Sequence, residues 1–358
     1  MKAVKIALLA FTALTATLMA DLITRPADAA EATLSIYFID VEGGQSTLVV
    51  TPQGQSLLID AGFPGSGGFE SKPGDANKAR DARRIVAAAH DAGVEHIDFL
   101  LITHFHPDHV GGVPELAQLM PIDTFIDHGN VAPEANNNVK GTAAAFEAYA
   151  KIRARGRHIE PKPGDRLPLK GVEATVVTSG RATITKPLSG ATGANSACTG
   201  SGRAPDDPHE NPRSTGIVLQ FGKFRFLDVG DLAGAPLYAL ACPSDLIGPV
   251  DAYLVPHHGG SDAAEPATFA AFKPRVAIVN NGATKGGTLE LLKALHQLGS
   301  DTWQLHRSTA AGKDNFAADR IANLDESAAH WLKLSANSDG SFQILNARTG
   351  ATTKYPPR

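Results

Sequence analysis

The stretch that most restricts how this chain can fold runs from Asp98 to His109, where Phe99-Leu100-Leu101-Ile102 leads into Thr103-His104-Phe105-His106-Pro107-Asp108-His109. A short apolar run bounded by polar residues reads as a strand buried on both faces. The histidines therefore stand where that strand frays into a loop. In extended backbone, positions i and i+2 share a side, so His104 and His106 offer imidazole nitrogens to one point. Pro107 stops both ladder and helix, and a turn there swings Asp108 and His109 toward a neighbouring point. Lone histidines, and even pairs, are often structural. Three histidines and an aspartate within six residues, just before Gly111-Gly112, are hard to explain as packing, and the geometry points to two metal ions.

The rest of the chain must supply a core large enough to hold such a loop. With 358 residues, 43% of them hydrophobic and 20% charged, it can do so as one large domain. Residues 1–29 are set apart from that domain. Lys2 and Lys5 precede an apolar run from Ile6 to Ala20, and Ala27-Asp28-Ala29 supplies a small-x-small cleavage site. The run is shorter than the roughly 20 residues a membrane span needs, so export with cleavage is expected, and no further membrane segment follows. Losing residues 1–29 removes three basic side chains (Lys2, Lys5, Arg25) and two acidic ones (Asp21, Asp28), moving formal charge from −4 to −5. A mildly acidic protein has no global attraction for nucleic acid, which weighs against a dedicated DNA binder. Cys198 and Cys242 are the only cysteines, lack metal-site spacing, and can pair in an oxidising compartment.

Along residues 30–358 the pattern alternates strands and helices. Segments 34–40, 46–51 and 56–60 read as a β-meander with Pro52-Gln53-Gly54 as a turn. Residues 62–75 form a Gly/Pro-rich loop without the Gly-Lys-Ser/Thr of a phosphate cradle. Helices are expected over 76–91, 114–120, 141–155, 232–241 and 287–298, and strands over 97–103, 124–127, 173–178, 216–221, 224–229, 251–255, 275–279 and 302–305. A closing hairpin, 330–345, turns at Asn337 to Gly340, while 308–328 reads as polar loop. Residues 180–212 lack periodicity and read as an insertion on a site rim. Strand-rich halves with helices between them fit an α/β (α+β) fold, a four-layer αββα sandwich.

The His-x-His-x-Asp-His run resembles the signature of the metallo-β-lactamase superfamily, and the likeness extends over most of the chain. Within it the nearest likeness is to the hydrolase-like domain of ComEC-type competence proteins, carried by Phe38-Ile39-Asp40-Val41-Glu42-Gly43-Gly44-Gln45-Ser46, Glu210-Asn211-Pro212-Arg213-Ser214 and Pro256-His257-His258-Gly259-Gly260. The resemblance implies His104 and His106 on one ion, Asp108, His109 and His257 on the other, and Asp231 between them, with His258 facing substrate. It gives Asp60, at the end of Leu57-Leu58-Ile59, a role in orienting the metal loop. Two departures stand out. Gln45 occupies a position usually acidic in the family, and Asn211, as in ComEC-type sequences, occupies about the place where many superfamily members have a third histidine. The first ion is thus short of ligands, with Asn211, water or the nearby His209 as alternatives. His128, at the end of strand 124–127, is a further substrate-side candidate.

Imidazole and carboxylate without thiolate suit Zn2+, and also Mn2+ or Fe2+. Two such divalent ions sharing a water imply hydrolysis, and no Gly-x-Ser-x-Gly nucleophile competes with that reading. The expected substrate is a small molecule or short phosphodiester, met by Asp108 and His258 as catalytic groups and by Arg203, Arg213 and Lys223 as local cations. A lactone or β-lactam is the alternative within the same fold, and a non-catalytic metal- or ligand-binding protein is the alternative of another class. Strong nucleic-acid binding is not expected, and the oligomeric state is not legible.

Overall fold

A computed structural model describes residues 33–65, 78–198 and 209–358. The leader-like segment 1–29, most of the Gly/Pro-rich loop and Arg203 lie outside the described residues. Two large sheets carry the described chain. The first has nine strands in the spatial order Thr352–Tyr355, Phe342–Asn346, Leu332–Ala336, Leu34–Phe38, Thr47–Val50, Ser56–Ile59, Ile97–Leu101, Ile122–Ile126 and Arg157–Ile159. The second has eight, ordered Ile321–Asn323, Asp301–His306, Val276–Val279, Ala252–Leu254, Phe224–Asp228, Gly216–Phe221, Glu173–Ser179 and Ala182–Thr183.

The layers follow from alternation along single strands. Leu34, Ile36 and Phe38 face a core shared with Ile217, Leu219, Phe226 and Ile278 of the second sheet. Tyr37 and Ile39, on the opposite side, pack with Ile85 of helix Arg80–Asp91, Leu116 of helix Val113–Leu119 and Tyr149 of helix Thr142–Arg153. Likewise Ala277 and Val279 turn outward onto helices Gly234–Ala241, Pro266–Phe272 and Leu289–Leu298. Both sheets are therefore buried on two faces, which is why their central strands read as unbroken apolar runs. The four-layer αββα sandwich expected from the sequence is what the chain forms. Among the described residues no helix is long and apolar enough to cross a membrane.

Differences fall at polar edges. Arg157–Ile159 and Thr352–Tyr355 are the two outermost strands of the first sheet, where solvent on one side removes the hydrophobic alternation that identifies a strand. Residues 308–328, expected as loop, contain strand Ile321–Asn323 and two short 3-10 turns. The rim insertion is also less structureless than expected. Gly193–Ala194 pairs with Ser244–Asp245, and Cys198 is disulfide-bonded to Cys242, tying the insertion to the end of helix Gly234–Ala241.

Candidate metal centre

Strand Ile97–Leu101 delivers the histidine loop, and Pro107 then occupies the first position of a one-turn helix, Pro107–Val110. Proline is tolerated there because its missing N–H would have no partner in a first turn. It thus opens a helical turn that presents Asp108 and His109, where the sequence reading has it only as a stop. The turn lies tight against the loop after Asp60. A Cβ on Gly112 would sit 2.1 Å from the carbonyl oxygen of Ala61, so only glycine permits this approach.

Asp60 is fully buried at a positive φ of 60°. It accepts hydrogen bonds from Thr103 N (2.8 Å) and Thr103 Oγ1 (2.7 Å) and pairs with His109 Nδ1 at 2.7 Å. Burial raises its carboxyl pKa, opposed by His109 and Thr103. With Nδ1 held by a carboxylate, the lone pair of His109 is directed from Nε2. Nε2 lies 3.1 Å from Asp231 Oδ2, 3.6 Å from Asp108 Oδ2 and 3.3 Å from His258 Nε2. His258 Nε2 is in turn 3.1 Å from Asp108 Oδ2 and 3.2 Å from Asp231 Oδ2. Asp108, His109, Asp231 and His258 thus aim one donor each at a single point.

A second group shares Asp231. His104 Nε2 lies 2.9 Å from His106 Nδ1 and 3.9 Å from Asp231 Oδ2. Burial, reinforced by neighbouring histidines, holds His104 well below the usual imidazole pKa, and burial lowers that of His106 as well. Both therefore stay neutral, the form that binds a metal. For Asp108 and Asp231 burial acts upward but is outweighed, by Lys285 and His109 at the first and by His109 and His258 at the second, so both remain carboxylates well below their ordinary range. His106 Nε2, Asp231 Oδ1 and Asn211 Oδ1 are buried without a hydrogen-bond partner. For His109 burial acts downward but is outweighed by Asp231, Asp108 and Asp60, which raise its pKa well above the usual range. Neutral imidazoles at His104 and His106, a third imidazole among carboxylates that a metal would relieve of its proton, two carboxylates and orphaned polar atoms around a shared aspartate fit a pair of divalent cations.

The adjacent histidines of the Pro256-His257-His258 run, read as ligand and substrate-facing group in that order, stand differently toward the two donor groups. His258, at 1% exposure, joins the Asp108 group, whereas His257 is half-buried and stands outside both groups. Its Nδ1 pairs with Asp262 at 2.8 Å, and its Nε2 lies 3.3 Å from Asn211 Nδ2 and 3.9 Å from Asp231 Oδ2. Burial acts to lower its pKa, but Asp231 and Asp262 outweigh it and raise it to about 9. Both residues have φ near 54°, so the chain turns sharply between strand and loop.

Of the alternatives near the ligand-poor group, Asn211 is buried on the wall of the adjoining cavity, and His209 belongs to neither donor group. His128 does not line that cavity. Its Nε2 is 3.1 Å from Glu210, and its ring packs 4.4 Å from that of Phe105. Glu210, quoted in the sequence only as part of a run, is a positioning residue: buried, it accepts from the backbone N of Phe105 (3.1 Å), between His104 and His106, and from Ala132 N. Gln45 donates to both oxygens of buried Asp228 at 3.1 and 3.2 Å. Burial, with Asp60 adding to it, pushes Asp228 up to about 7. An acid at position 45 would set two carboxylates side by side, so the amide is the fitting neighbour.

Of the expected cations, the two within the described residues, Arg213 and Lys223, are not at the site. Lys223 sits at the far end of its hairpin from Asp231, where its N–H reaches Ser338 O, and Arg213 is not part of the cavity wall. Lys285 and Lys140 are, and Lys285 Nζ contacts Asp108 Oδ2. A single sequence carries no sign of either, since Lys285 and Asp108 meet across 177 residues.

A family model described as the metallo-beta-lactamase superfamily matches residues 39–279. Among solved structures the chain is similar to the metallo-beta-lactamase fold protein YhfI from Bacillus subtilis, at 11% identity over 76% of this chain and 96% of that one with a TM-score of 0.46. It is similar also to a diphosphatase of the PhnP family, at 12% identity over 85% and 98% with a TM-score of 0.39. A third is a metallo-beta-lactamase from Cronobacter sakazakii carrying a HARLDQ motif mutation, at 18% identity over 55% and 62% with a TM-score of 0.32, so this chain spans under two thirds of that protein's length. No curated protein matches the chain.

Proposed function

The chain belongs to the metallo-beta-lactamase superfamily, and on that premise we propose that it is an exported hydrolase of small phosphodiesters that works with two divalent metal ions, Zn2+ before Mn2+ or Fe2+. The observation that carries this reading is the pair of donor groups sharing Asp231 on the wall of an open cavity. His104 and His106 would hold one ion, Asp108, His109 and His258 the other, with Asp231 between. Such a pair, when bound, supplies an activated water and a clamp for the oxygens of the reacting centre.

The protein's own groups do the rest. Asp60 keeps the proton of His109 on Nδ1, so that Nε2 is available toward the metals. Glu210 ties the backbone between His104 and His106 and keeps their rings convergent. His257, its Nδ1 held by Asp262, turns Nε2 to the cavity and is placed to hand a proton to a leaving oxygen. Lys285 and Lys140 supply the positive charge a diester anion needs beyond the metals. The ComEC-type likeness supports the choice of phosphodiester. Export is supported by the leader-like residues 1–29 and by the Cys198–Cys242 disulfide, which belongs to oxidising compartments.

The test is metal content together with a substrate screen. Protein loaded with Zn2+ should hold about two ions per chain and hydrolyse bis-p-nitrophenyl phosphate, with loss on chelation. Turnover of a lactone or β-lactam alone would replace the phosphodiester, and metal well below one ion per chain with no turnover would make this a binding protein.

A further inference from the structure

Metal ligands and a phosphate group account for only part of the cavity they open into. It measures about 820 Å³ and extends from Asp108, Asp231 and His257 to helix Thr142–Arg153. General binding sites of roughly 300–1,000 Å³ enclose a whole drug-sized molecule, so the space beyond the donor groups is a compartment in its own right. Its surface is apolar. Phe63, Pro64, Pro107 and Pro114 line it together with Val139 and the alanines of the helix, with Glu115 and Asn138 as polar members of the wall.

The helix explains the space. In Thr142-Ala143-Ala144-Ala145-Phe146-Glu147-Ala148-Tyr149, Tyr149 is buried and Phe146 half-buried in the core under the metal loop, while Ala144, Ala145 and Ala148 line the cavity. Positions three and four apart share a helix face, so the small residues at 144, 145 and 148 leave one concave strip. Charged groups gather at its margins. Lys285 lies over the Phe63 ring at 5.2 Å and touches Asp108, and Lys140 is exposed at the rim, whereas the carboxylate of Asp262 is tied to His257. Among the described residues, Asn138 and Lys140 are the donor side chains beside Val139 and the alanines, so a nucleotide's sugar and second phosphate would meet few donors there.

We propose that this compartment is a subsite for an apolar arm, and that the substrate is an anionic ester carrying a medium alkyl or aryl group. This rests on the hydrolase reading above, with the anion at the metals and lysines and the arm against Phe63, Pro64 and Ala148. Each methylene seated there raises kcat/KM by roughly fourfold until the compartment is full.

Two measurements test it on the Zn2+-loaded protein. Across p-nitrophenyl alkyl phosphates from methyl to hexyl, kcat/KM should climb with chain length, and A144L/A148L, which fills the strip with a residue equally at home in a helix, should bring the hexyl-to-methyl ratio toward one. Alkylphosphonates of the same lengths, titrated by calorimetry, should show the same dependence in Kd without any turnover. A flat series in both, or a length dependence that A144L/A148L leaves untouched, overturns the subsite. Length-dependent phosphonate binding with no diester hydrolysis keeps the subsite and discards the phosphodiesterase.

Discussion

Asp60→Asn isolates the tautomer of one metal-facing histidine. Asparagine is nearly isosteric and tolerates the positive φ of 60° at this position, so the backbone is left alone. Its single carbonyl can still accept from Thr103 N, but its NH2 then faces Thr103 Oγ1 and His109 Nδ1. Thr103 can turn to accept. His109 can accept at Nδ1 only by moving its proton to Nε2, the atom that lies 3.1 Å from Asp231 and 3.3 Å from His258. A metal then binds only if the proton returns to Nδ1, where it opposes an N–H. The cost is one hydrogen bond to a charged group, about 1.5–3 kcal/mol, which corresponds to roughly 10- to 150-fold in metal affinity and agrees with the 10- to 100-fold typical of partners behind metal ligands. Competition with a chromophoric chelator reads the affinity, and circular dichroism confirms the fold. A folded Asp60→Asn protein binding Zn2+ within twofold of the parent would refute the reasoning.

Three further outcomes are expected. His258→Ala should weaken Zn2+ binding beyond about a hundredfold, whereas His257→Ala should keep most of the metal and lose turnover; equal metal loss in the two would return His257 to the ligand set. His306, buried 2.8 Å from Asp40 and 3.4 Å from Glu42, is acted on downward by burial but held above its ordinary pKa by those carboxylates. Its contribution to stability is therefore complete below about pH 6.5 and is lost as pH rises through the higher folded value, so urea midpoints should fall over that window in the parent and less in His306→Gln; parallel profiles would remove the ion pair as the cause. Breaking the Cys198–Cys242 bond, which closes a 44-residue separation, should cost up to about 4 kcal/mol in the chain-entropy picture and speed proteolysis of the rim, and unchanged denaturation after reduction would count against that.

Much of this protein could be read from order along the chain. The run Phe99 to Ile102 announced a strand buried on two faces, and the two-faced burial of both sheets is what produced that run. His104, His106, Asp108 and His109 were legible because close spacing forces neighbours together whatever the rest of the chain does. Asp60 and Asp231 were legible as carboxylates ending apolar strands. The edge strands Arg157–Ile159 and Thr352–Tyr355 were not, because one solvated side erases the alternation.

What the tertiary structure alone decided are the meetings between distant residues and the turns between near ones. Lys285 reaches Asp108 across 177 residues and Glu210 reaches Phe105 across 105, contacts that exist only because the two sheets stack with their strand ends on one side. Which of His257 and His258 stands in a donor group goes with a turn of two positive φ angles that no side-chain pattern encodes. The apolar compartment likewise belongs to packing: three alanines on a helix are unremarkable in sequence, and become a wall only where Phe63, Pro64 and Pro107 line the same cavity with them. Periodicity along a chain reports which side of an element is buried. Which other element buries it, and what space is left between, is set by the balance of packing over the whole domain.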